Sequence, residues 1–290
     1  ANGTCEQCHW PTKFVGERLK VRTHFQDDEA NTEVKTALMV KVGGSAGGES
    51  HGIHWHVDPN HIIRYLSDAK RETIYDIELT DKSAGTTKVF KGPEAAPAGS
   101  EWRTMDCVDC HNRPAHNFRS PEYEVDLAIS EGRIDRTLPF IRREGVRILT
   151  EKEYASHDEA RAGIAAAVKE FYVKNYPDRA GSAEVEQAGK ALGDAYAWNI
   201  FPHMRVTWNT YPNHLGHQDT PGCFRCHDNK HKTDDGDKIG KKCGTCHNLV
   251  VEEESNSTLL QELGLQEAPP EPVAVEAGAA GEAPSTETAN

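Results

Sequence analysis

Between residues 222 and 248 the chain reads GCFRCHDNKHKTDDGDKIGKKCGTCHN, which sets Cys223, Cys226, Cys243 and Cys246 in a C-x2-C-x16-C-x2-C pattern. That spacing suits a zinc ribbon built from four thiolates. A ribbon made of cysteines alone has no use for a histidine after each pair, yet His227 and His247 both stand there. Upstream, CEQCH supplies Cys5, Cys8 and His9, and CVDCH supplies Cys107, Cys110 and His111, so all 8 cysteines fall into C-x-x-C-H units. Histidine makes up 15 of 290 residues. Its recurrence after every pair by accident has odds on the order of one in a hundred thousand. Two thiols three positions apart can each add to one vinyl group of a haem while the adjacent imidazole binds the iron. A disulfide reading closes only tiny loops of little stabilising value and leaves the histidines unexplained. The sequence therefore predicts four covalently attached haem c groups, with His9, His111, His227 and His247 as proximal ligands.

Each iron then needs a sixth ligand. Eleven histidines remain (His24, His51, His54, His56, His61, His116, His157, His203, His214, His217 and His231), against 3 methionines, Met39, Met105 and Met204. An excess of histidine over methionine points to bis-histidine haems of low potential, because thioether ligation raises the potential. His231 follows His227 by four residues and His116 follows His111 by five, links too short to wrap around their own macrocycle. Both are expected to ligate a neighbouring haem, with a surface histidine in a turn as the plain alternative. In GIHWHVDPNH, His54 and His56 would share one face of an extended segment with Trp55 on the other. One would be a ligand and the other a propionate partner, with His54 preferred as ligand; an H-x-H copper or zinc site is the alternative. In YPNHLGH the preference is His217 over His214. His24 is a comparable candidate, whereas His157 beside a helix cap is expected to be structural.

The elements that must hold these residues are legible in part. VKTALMVKV (34 to 42) and TIYDIEL (73 to 79) read as strands, the second turning through TDKSAG into TTKVF as a hairpin. Ser120 with Pro121 opens a helix closed by Gly132, Ser156 and Glu159 form a capping box ahead of a helix stopped by Pro177, and a further helix runs from about Ala183 to Asn199. The expected fold is mainly α with irregular loops and a small β insertion, organised by its haems. One tetrahaem unit spans 1–249, with a β-containing insertion over about 30–100 and a helical segment over about 120–200. Apolar residues are 37% of the chain and 24 glycines and 15 prolines favour irregular backbone. The macrocycles are thus expected to supply much of the core, so that little fold survives their removal.

From Val250 to Asn290 there is no Lys, Arg or aromatic residue and nine Glu, which reads as an acidic, disordered tail. It holds −9 of the net −13, leaving −4 for the rest, so the balance says little about the partners of the folded part; no nucleic-acid partner is expected, and a basic redox protein is permitted. No run of about 20 apolar residues exists to span a membrane. Because haem c is attached outside the cytoplasm, the expected location is periplasmic or otherwise extracytoplasmic, with a signal or membrane-anchoring segment preceding Ala1.

CEQCHWPTKF, TMDCVDCHNRPAHNF and YPNHLGHQDTPGCFRCHDNKH followed by CGTCH resemble the NapC/NirT-type tetrahaem cytochromes c. The resemblance covers the haem motifs, about one third of the chain by our reading. It implies a periplasmic electron carrier of anaerobic respiration, often anchored by one helix, passing electrons from membrane quinol to reductases or other redox proteins. Quinol-oxidising members commonly carry a Met soon after the first C-x-x-C-H. Here His9 is followed by Trp10 and Pro11, with no Met before Met39, and the stretch between the first two motifs is long. Three roles are compatible: electron transfer without catalysis, which we favour; a structural or electron-conducting subunit of a larger complex or filament; and a multihaem reductase of small oxyanions, which needs an open iron with acid–base groups beside it.

Overall fold

The computed structural model describes residues 2–9, 16–43 and 52–266. His51, the Trp10–Pro11 departure and the tail beyond Gln266 lie outside the described residues. In chain order the elements are α1 (Asn2–Cys5), β1 (Arg18–Phe25), β2 (Glu33–Val40), β3 (His61–Ser67), β4 (Ile74–Asp81), β5 (Thr86–Lys91), β6 (Arg103–Thr104), α2 (Cys107–Cys110), α3 (Pro121–Ser130), α4 (Ile141–Glu151), α5 (His157–Asn175), α6 (Ala183–Asn199), α7 (Cys243–Cys246), β7 (His247–Glu254) and α8 (Thr258–Glu262). Short 3-10 turns occupy Ile53–Val57 and Gly222–Arg225.

The expectation of a mainly α chain is overturned by two antiparallel sheets. One has the order β1-β2-β7, the other β5-β4-β3-β6. The predicted β4–β5 hairpin is present, but β3 and β6 extend it to four strands, aligning Tyr65, Ile77 and Phe90 across neighbouring strands. In the other sheet β7 pairs with β2 through Met39↔Asn248 and Val40↔His247. The strand runs on past residue 249, so the first compact unit closes at Ser255 rather than at the expected boundary. LVV at 249–251 supplies the strand pattern, with Val251 buried.

Helices α3 to α6 build their own apolar core. Val125, Ile141, Ile164 and Leu192 are fully buried there, and Phe25 at the end of β1 packs against them. Buried Asn31, in the β1–β2 turn, donates to the Arg136 and Leu138 carbonyls at 2.9 and 2.8 Å and accepts from the Arg142 N–H, which fastens the first sheet to this layer. Helices α5 and α6 approach closely where Gly189 and Gly193 face Ala165 and Arg161: a Cβ on Gly189 would lie 3.0 Å from the Ala165 Cα. The helix starts follow from their caps, Ser120, Ser156 and Ser182, each accepting from the N–H three residues on. At α5 the Glu159 carboxylate reaches the Ala155 N–H, one residue short of a full capping box. Side chains thus supply an apolar core of their own in this layer. Among the described residues no helix is long and apolar enough to cross a membrane.

Candidate haem sites

The four C-x-x-C-H units adopt one local geometry. In each, the histidine backbone N–H donates to the carbonyl of the first cysteine: His9 to Cys5 at 2.8 Å, His111 to Cys107 at 2.8 Å, His227 to Cys223 at 3.0 Å, and His247 to Cys243. A single closed turn thereby fixes both sulfurs and the imidazole relative to one another. None of the eight cysteines forms a disulfide.

Each turn is held by its surroundings. At the second unit Asp106 caps α2 and forms a reciprocal box with Asp109. Asp109 is buried and accepts from Tyr65 Oη at 2.6 Å, Arg71 at 2.9 Å and Arg103 at 2.9 Å, tying the motif to the four-stranded sheet. Burial works against its ionisation, but the hydrogen bonds from Tyr65, the Asp106 N–H and Arg103 outweigh that and hold the carboxyl below its ordinary range. At the third unit the Cys223 N–H donates to the Gly216 carbonyl at 2.7 Å, while a Cβ on Gly222 (φ 45°) would fall 1.9 Å from that oxygen. Only glycine fits there. His214, beside this loop, directs Nδ1 to the Asp109 carbonyl at 3.1 Å; burial, with Arg225 adding repulsion, pushes its pKa down to about 4, so it is neutral.

The units lie in a row that follows the chain. Cys107 feels the charge of Cys5, Cys110 that of Cys223, Cys226 that of Cys110, and Cys246 that of Cys223. Burial pushes the Cys110 thiol up to about 11 and the Cys226 thiol up to about 12. Both thiols therefore favour the protonated form over the thiolate. Among the described residues no group of three or more His, Cys, Asp or Glu side chains converges to hold a metal ion.

Of the five predicted distal histidines, the structure brings two to a proximal partner. His217 lies with its ring 6.0 Å from that of His247 at 29°, stacked on Phe224 at 4.2 Å. His54 lies close enough to His111 for their charges to interact; burial, then His111, lowers its pKa. The other three have polypeptide partners. His116 is exposed and its Nε2 meets the Trp198 carbonyl at 3.0 Å. His24 on β1 faces Glu253 at 3.8 Å. His231 is fully buried with Nδ1 3.0 Å from Asp228 and Nε2 3.1 Å from the Ile74 carbonyl, so in this structure both ring nitrogens face polypeptide acceptors. His157, with Nε2 2.7 Å from the Ile200 carbonyl, is likewise held by the fold.

The expected pairing of His54 and His56 on one face of an extended segment also fails. Residues 53–57 form a 3-10 turn, whose geometry turns side chains two apart in different directions. His56 instead meets His227, with Nε2 to Nε2 at 3.4 Å. The H-x-H pattern marked the segment; its conformation, absent from the sequence signal, decided which ring goes where.

Two cavities adjoin these groups. One, about 310 Å³, is walled by Ile77, Leu79 and Phe90 of the sheet and edged by Cys223, Cys226 and His227. The other, about 470 Å³, is polar and lined by Arg113, Arg119 and His217 among others. The Nε atoms of Arg113 and Arg119 are buried without a hydrogen-bond partner. An apolar slot beside paired cysteines and two guanidinium Nε–H groups lacking an acceptor both fit a haem, which brings an apolar ring and two carboxylates.

The chain is 43% identical over 266 residues, 88% of its length, to the cytochrome c-type protein ImcH of Geobacter sulfurreducens. It spans 52% of that relative's own length. No family model matches the chain, and no solved structure matches it.

Proposed function

We propose that this chain is a c-type cytochrome that holds four covalent haems and passes electrons between redox partners outside the cytoplasm. The similarity to a cytochrome c-type protein supports covalent haem c and an electron-transfer role. The observation that carries the reading to four centres is the row of four like-folded C-x-x-C-H turns, each close enough to the next for their sulfurs to interact. When bound, haem supplies the one-electron iron couple. The rest is done by the polypeptide. The Cys5/Cys8, Cys107/Cys110, Cys223/Cys226 and Cys243/Cys246 pairs anchor the rings, and their order along the chain sets the order of the centres. His54 beside His111 and His217 beside His247 supply second imidazoles. Arg113 and Arg119 offer charge to haem carboxylates, and the buried sheet face excludes water from the third centre.

This arrangement favours a carrier over an enzyme, because the second imidazoles beside His111 and His247 would close those irons to substrate. Membrane quinol is one donor compatible with the NapC/NirT resemblance, and soluble redox proteins or a larger electron-transfer complex are the other partners we propose. The test is mass spectrometry of the purified chain with low-temperature EPR. Four haems per polypeptide with low-spin ferric signals alone are expected. A colourless zinc protein would refute the proposal, and a high-spin signal that shifts with nitrite or sulfite would move it to a reductase.

A further inference from the structure

We infer that His56 and His227 are the two axial ligands of the haem carried by Cys223 and Cys226, an assignment that rests on the haem reading above. The two Nε2 atoms lie 3.4 Å apart, and the protons are accounted for elsewhere. His56 Nδ1 lies 2.7 Å from the Ile53 carbonyl and His227 Nδ1 lies 3.0 Å from the Gly240 carbonyl. A carbonyl can only accept, so each Nδ1 carries its hydrogen and each Nε2 of the neutral ring presents a lone pair. Two acceptors therefore face one another.

An extra proton could bridge them only by making one ring cationic, with both Nδ1–H groups already committed to backbone carbonyls. What satisfies both lone pairs is a metal centre between them. An Nδ1–H held by a backbone carbonyl is also the usual outer partner of a metal-bound imidazole, fixing the tautomer and the ring plane.

The surroundings select the kind of metal centre. Metal–imidazole bonds of about 2.0–2.1 Å place the nitrogens of a linear pair about 4.1 Å apart, so the rings need to part by roughly 0.7 Å. A 3.4 Å separation also suits two corners of a tetrahedral zinc site. Zinc, however, needs two more protein donors, and among the described residues no third His, Cys, Asp or Glu joins the pair. A haem brings its own four nitrogens and asks the protein for two. The apolar cavity of about 310 Å³ beside the pair, lined by Ile77, Phe90 and both cysteines, offers space for such a ring.

The consequence is a bond through iron between parts of the chain 171 residues apart. The turn Ile53–Val57 would serve two centres, with His54 directed to the second and His56 to the third, so that adjacent haems share one short piece of backbone.

The test uses the full-length chain and its variants H56A and H56M. In H56A, mass spectrometry should still find four haems, while EPR should show one haem in four turned from low to high spin and returned to low spin by added imidazole. In H56M, a redox titration should show one centre raised in potential and the other three unmoved. Four haems with wild-type EPR and titration curves in both variants would overturn the ligand assignment alone. Wild-type protein without covalent haem would instead remove the reading on which the assignment rests. Should H56A fail to accumulate, the H56M titration decides: one shifted centre supports the assignment, and a curve that overlays the wild type overturns it.

Discussion

Leu192, Ile164 and Val125 in the helical layer are enclosed by other side chains, whereas Ile63, Ile77 and Phe90 on the four-stranded sheet border a cavity of about 310 Å³. Both sets are buried and apolar. The first is completed by the polypeptide; the second has C-x-x-C-H residues along its rim. Haem dependence is therefore expected to be local, with the helical layer an independent support and the sheet a surface that its cofactor finishes.

The most severe way to break this comparison is to deny the chain its haems, by producing it without attachment or with Cys223 and Cys226 both changed to alanine. Amide exchange is expected to leave α3 to α6 protected and to lose protection over β3 to β5, while far-ultraviolet circular dichroism keeps its helical signal. Equal loss in both regions would erase the distinction. Leu192→Ala tests the other side: in a core closed by side chains it should cost about 2–5 kcal/mol in denaturant unfolding and leave the visible spectrum unchanged.

His231→Met sharpens the boundary between ligands and structural histidines. Because it strips partners from the Ile74 carbonyl and Asp228, it should cost about 1–3 kcal/mol yet give a redox titration that overlays the wild type. A raised centre would return His231 to the ligands. The smallest effect is expected at Ser156→Ala, which removes the α5 cap for about 1 kcal/mol, visible as a lower unfolding midpoint with no change in haem content.

These regions were also unequally legible in the sequence. Ser120, Ser156 and Pro121 announced their helices, because a cap is a local interaction between a side chain and the next turn. Helix α4 carried no such sign: Phe140 precedes it in a left-handed conformation with no side-chain cap, and Gly145 interrupts its run. Strand β1 hid its alternation of Leu19, Val21, Thr23 and Phe25 among arginine and lysine, and β7 was masked by the three glutamates that end it. Both strands exist through pairing with β2, a tertiary fact. The four C-x-x-C-H motifs were readable because they are contiguous in the chain. A second ligand can come from anywhere in the chain, so His56 could be told from His54, and His231 set aside, only once the backbone was known.

The pairing of β7 with β2 bears on the timing of maturation. The strand begins on His247, the last residue of the fourth motif, and beside it the Lys41 ammonium donates to the Gly244 carbonyl across 203 residues of chain. A ladder between segments so distant has a high loop-closure cost and forms late. The N-terminal hairpin keeps one edge open until residues 247–254 pair with it, so closure of this sheet is expected to follow, and not precede, synthesis of the fourth C-x-x-C-H motif.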